Sequence, residues 1–123
     1  MIEVFVERGN QLSDSRRLME GSQEYTAALA LVSIHSAIAF NDALLIKLSG
    51  QHLPTEDHMA AVNRTRSQCS ANGIGADGIK HLKTLVAAKT KVSYSGQRTS
   101  IETATALSVA SERFETWVRP LIK

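Results

Sequence analysis

The stretch from Tyr25 to Ser49, YTAALALVSIHSAIAFNDALLIKLS, limits what this chain can fold into more than any other. After Tyr25 it carries two charges, Asp42 and Lys47, and neither Gly nor Pro interrupts it. Gly50 follows, where a helix would stop. A helix of that length spans about 37 Å. Leu31, Ile34, Ile38, Leu45 and Ser49 share one face, but Ala27, Ala30, Val32, Ala37 and Phe40 make the other sides apolar too. A helix apolar nearly all round is buried. Thr26 to Ile46 is long enough to cross a bilayer. His35, Asn41 and Asp42 lie inside it, however, and no Lys/Arg cluster flanks it. The reading is the central helix of a soluble bundle, with no membrane span. Asp42 follows Ile38 by four and precedes Leu45 by three, so it is expected on the driest face, where a carboxylate needs a partner.

The 123 residues suffice for one domain with a modest core. Few Gly, Pro and aromatic residues and little strand-like alternation predict an all-α, up-and-down bundle of four to five helices. The single cysteine, Cys69, excludes an internal disulfide and fits a reducing, cytoplasmic setting. No secretory signal is seen. Four scattered histidines and one cysteine give no metal-ligand spacing, and there is no phosphate-cradling glycine loop, so no metal or cofactor is expected.

Charge is unevenly spread. Residues 1–61 hold four Lys/Arg and eight Asp/Glu, a net of −4, and residues 62–123 hold ten and four, a net of +6. Within 64–98, Arg64, Arg66, Lys80, Lys83, Lys89, Lys91 and Arg98 face Asp77 alone. Such an excess attracts a polyanion, or the acidic half of a second copy, or is a solvated face.

Taken in order, Ile2, Phe5, Leu12 and Leu18-Met19 line a first helix, with a break expected near Gly9 to Ser13. Pro54 ends the loop after the central helix, and Thr55 is the expected N-cap of the third helix, with Met59, Val62 and Cys69 inward. Asp77 is the expected cap of the fourth helix, whose apolar side is Leu82, Leu85, Val86 and Val92. Lys89 falls on that side. It either snorkels to the edge or pairs with Asp42, the other inward charge. A loop is expected from Tyr94 to Thr99. Thr99-Ser100-Ile101-Glu102 reads as a capping box, and Ala106, Val109-Ala110, Phe114, Trp117 and Leu121 as the last helix's inward stripe.

The segments AFNDALLIKLSG, HLKTLVAAKTKVSYSG and TSIETATALSVASERFETWV resemble the HEPN superfamily over about residues 20–120. That resemblance implies a small helical bundle, commonly dimeric, of a kind that often cuts RNA without metal through an Arg-x4-6-His motif. It also implies partnership with an antitoxin or a nucleotidyltransferase-like protein. Where the motif belongs, this chain has Lys89-Thr90-Lys91-Val92-Ser93-Tyr94. A lysine steadies phosphate as a point charge, but a phenol holds its proton near neutral pH and makes a poor general base. By resemblance, Asp42 matches a polar position near the motif.

Three readings stay open. One is a non-catalytic module binding RNA, a nucleotide or a partner protein, with Asp42, Lys89 and Tyr94 as a remnant site. Arg64, Arg66, Lys80, Lys83, Lys89 and Lys91 are its candidate contacts. The second is a metal-independent ribonuclease using Lys89 with Tyr94 or His81. The third is a structural homodimer.

Overall fold

The computed structural model describes residues 1–53 and 57–123. The long apolar run forms α2, Thr26–Ser49. Around it stand α1 (Ile2–Met19), α3 (His58–Ala71), α4 (Ile79–Tyr94) and α5 (Ile101–Val118), and a 3-10 turn, Arg119–Leu121, ends the chain. Among the described residues there is no strand, so the expected all-α bundle is the fold. Helix α2 packs against each of the other four helices. That surround accounts for its apolar sides: Leu29, Ala30, Ile34, Phe40, Ala43 and Leu44 are all buried. Of the described helices it alone is long and apolar enough to span a membrane, and most of it is covered by the bundle.

The main core joins Ile34, Phe40 and Leu44 of α2 to Val62, Leu82, Leu85, Phe114 and Val118. A smaller cluster sets Phe5 of α1 against Ala43 and Ile46. Helix α1 shows no break at Gly9–Ser13. Gly9 is buried because α1 lies directly on α2 there: a Cβ at this position would stand 2.7 Å from the Phe40 ring. The glycine that suggested a break is thus the point of closest packing. At the other end of α2, Gly50 takes φ +74° and its N–H bonds Ile46 O at 2.7 Å, the expected left-handed stop.

Several local expectations change. Leu18 is not inward; it is 88% exposed. Asp77 does not cap α4, which begins after Gly78 with no side-chain cap. Tyr94 is the last residue of α4, not part of the loop. The cap of α5 is Ser100, whose Oγ accepts from Thr103 N at 3.1 Å, one residue later than the capping-box register. Ala106 and Val109 face outward, and Ala104, Leu107, Ser108, Ser111 and Glu115 join Ala110 and Phe114 inside. Thr55 lies outside the described residues; Asp57 caps α3, accepting from Ala60 N at 3.0 Å.

Candidate functional site

Asp42 is half-buried rather than sealed in the core, and it looks into a cleft between α2, α3 and the segment that follows α2. That segment leaves α2 through the Gly50 turn, which brings His52 and Leu53 back over Asp42. The hollow there measures about 320 Å³ and is bounded by Asp42, His52, Arg64, Asn63, Ser67 and Gln68 among others. A second hollow of about 390 Å³ adjoins it. It shares Asp42, His52 and Leu53 and adds Phe5, Arg8 and His58. The α3 cap at Asp57 fixes His58 at the helix start. The His52 ring lies 4.7 Å from that of Phe5, and the Arg8 guanidinium sits 5.2 Å over the same ring. Phe5 therefore anchors two cationic or titratable groups beside Asp42. Arg64 is held by a bond from its Nη2 to Leu53 O, at 3.3 Å.

Burial pushes the Asp42 carboxyl above its ordinary value, against the opposing pull of His52, His58, Arg8 and Arg64. Burial also holds the His58 imidazole below its ordinary value, and the charge of Lys89 adds to that; Asp42 and Asp57 oppose it. His35, two turns before Asp42 on α2, is lowered by burial and then by the charges of Lys89 and His58. Around one carboxylate, then, stand the imidazoles of His52 and His58, two guanidinium groups and, beyond His58, an ammonium.

No ion pair joins Asp42 to Lys89 among the described residues, so the expected pair is absent. The two are linked instead through His58, on which both charges act. Tyr94 is 77% exposed at the end of α4. His81 answers to burial, Lys80 and Arg113. Of the candidate contacts, Arg66, Lys80, Lys83 and Lys91 are exposed, and Lys89 and Arg64 are half-buried.

His35, His52, His58 and Arg8 were not among the site residues expected from the sequence. His35 carried a signal, because a spacing of seven from Asp42 returns to the same helix face. His52 and Arg8 carried none: a loop residue and a residue near the N-terminus meet Asp42 only through tertiary packing.

A separate polar network joins α1 to α5. Glu115 accepts from Ser13 Oγ, from Arg17 Nη2 at 2.8 Å and from Arg119 Nε at 2.8 Å. Arg16, fully buried, donates from Nη1 to Glu20 at 2.5 Å and to Ser108 at 3.2 Å. These bonds fasten the bundle and do not reach the cleft. No family model, curated protein or solved structure matches the chain.

Proposed function

We propose that the chain is a non-catalytic RNA-binding module, HEPN-like in kind, whose ligand enters the Asp42 cleft. One observation carries this reading: Arg8, Arg64, His52 and His58 converge on one cleft. Guanidinium and imidazole groups at the wall of a cavity of this size suit a phosphate-bearing ligand. Exposed Lys80, Lys83 and Lys91 of α4 and Arg66 of α3 extend the positive surface for a longer strand. Lys89 belongs to the site through His58 rather than through Asp42. Tyr94 is a surface residue of this reading and takes no base role. The same reading includes a cytoplasmic homodimer, its acidic half meeting the basic half of a second copy, and a nucleotidyltransferase-like or antitoxin partner. It calls for no cofactor.

Labelled single-stranded RNA titrated with the protein tests it. Affinity falls steeply with rising salt, and Arg64→Ala and Arg8→Ala each weaken binding severalfold. No binding at low salt refutes it and leaves the structural dimer standing.

One observation favours a second reading, the metal-independent ribonuclease. His58 is an imidazole held neutral beside Asp42, which is what a general base requires. Cutting of labelled RNA in EDTA, lost in His58→Ala, would establish it over the non-catalytic reading.

A further inference from the structure

We infer that the Asp42 cleft reads the sugar of its ligand: the Asp42 carboxylate accepts a hydrogen bond from the 2′-hydroxyl of a bound nucleotide, so the site selects RNA over DNA. The inference rests on the RNA-binding reading above and adds which part of the ligand is recognised, and by what.

Asp42 is half-buried among two histidines and two arginines, yet among the described residues it makes neither a hydrogen bond nor an ion pair within 4 Å. Withdrawing a carboxylate from water without a donor is costly. A ligand with a donor at this point removes that cost. A phosphate does not, because it brings a second negative charge against the first.

The two hollows on either side of Asp42 differ in chemistry. The first, beside α3, offers the neutral amides of Asn63 and Gln68 and the hydroxyl of Ser67 beside the Arg64 guanidinium, which itself can pair with a base edge. Groups of this type suit the edges of a base. The second offers Arg8 and His58, which suit a phosphate. Asp42 and His52 line both hollows and form the junction between them. In a nucleotide the sugar stands between the base and the phosphate. A nucleotide laid across the two hollows therefore places its sugar at Asp42. Ribose presents a hydroxyl donor at its 2′ carbon, and deoxyribose presents only hydrogen. The one carboxylate lining both hollows lies where that hydroxyl falls.

The test compares three oligonucleotides of one sequence: RNA, 2′-O-methyl RNA and DNA. The 2′-O-methyl strand keeps the oxygen but has lost the donor. Binding to the full chain is followed by fluorescence anisotropy at low salt. The expected result is RNA bound at least tenfold more tightly than either of the others. In Asp42→Ala the three affinities converge, and circular dichroism confirms that the variant is folded. Should that variant fail to fold, the three-probe comparison on the native chain decides alone. Equal affinity of the native chain for RNA and 2′-O-methyl RNA overturns the inference and leaves the RNA-binding reading intact. Discrimination that survives in folded Asp42→Ala also overturns it, since another residue then reads the sugar. Failure to bind any of the three overturns both.

Discussion

Arg17 Nη2 donates to Glu115 Oε2 at 2.8 Å, joining the first helix to the last. The Glu115 carboxylate is 8% exposed and also takes bonds from Ser13 and Arg119. Buried Arg16 stands beside it, 3.9 Å away. Glu115→Ala removes the shared acceptor and leaves Arg16 in the core without that carboxylate. The expected loss of stability is about 3–5 kcal/mol, the range for breaking a buried pair, read by urea denaturation. A loss below about 1 kcal/mol would show the network to be solvated.

The same carboxyl gives the fold an acid limit. Burial raises its pKa, but the bonds from Ser13 and Arg119 and the charges of Arg119 and Arg17 outweigh that, and the pKa ends below its ordinary value of 4.5. A lowered folded-state value means stability that is present above 4.5 and lost as pH falls through the folded value. Thermal melts of the native chain should drop through this range, and Glu115→Gln should flatten the drop.

His35 and His58 act at milder pH. Both are held below 6.5 in the fold, chiefly by burial and then by Lys89. The unfolded chain therefore takes up protons first, and stability falls as pH drops from 6.5 through the folded values. The double variant His35→Gln, His58→Gln should lose less stability between pH 7 and pH 5 than the native chain does.

Asp42 predicts the opposite sign. Its pKa is raised from 3.8 by burial, so its contribution to stability is full below that value and is lost as pH rises through the folded value. Asp42→Asn should therefore stabilise the fold at pH 7 by less than about 1 kcal/mol after solvent screening, seen as a higher melting point. The gain should vanish below pH 3.8. A loss on substitution at pH 7 would mean that Asp42 has a partner in the folded chain.

Gly9 tests the packing of α1 on α2. Gly9→Ala pushes a methyl to 2.7 Å from the fully buried Phe40 ring. Overpacking of this kind costs about 1–3 kcal/mol, and Phe40→Leu in the same chain should recover part of it.

Much of the fold was legible in the sequence, because the composition of α2 left burial as the outcome and Gly50 marked its end. The registers of α1 and α5 were harder to see. Gly9 reads as a breaker until Phe40 is known to lie against it. The polar members of α5's inner face, Ser108, Ser111 and Glu115, disguise the stripe, since their partners on α1 and α2 are far away in sequence. The Ser36–Ser111 bond of 2.9 Å is one such partnership. The site was legible only in part. Asp42 announced itself as a charge in an apolar helix. His52, His58 and Arg8 come from three different segments, and no spacing rule connects them.

The four histidines allow the most direct test of the cleft. Imidazole proton resonances are assigned by substitution and followed while a short single-stranded RNA is added. The expected result is that His52 and His58, at the cleft, shift with the first additions, while His81, near Lys80 and Arg113, stays in place. A shift confined to His81, with His52 and His58 unmoved at saturation, would contradict it.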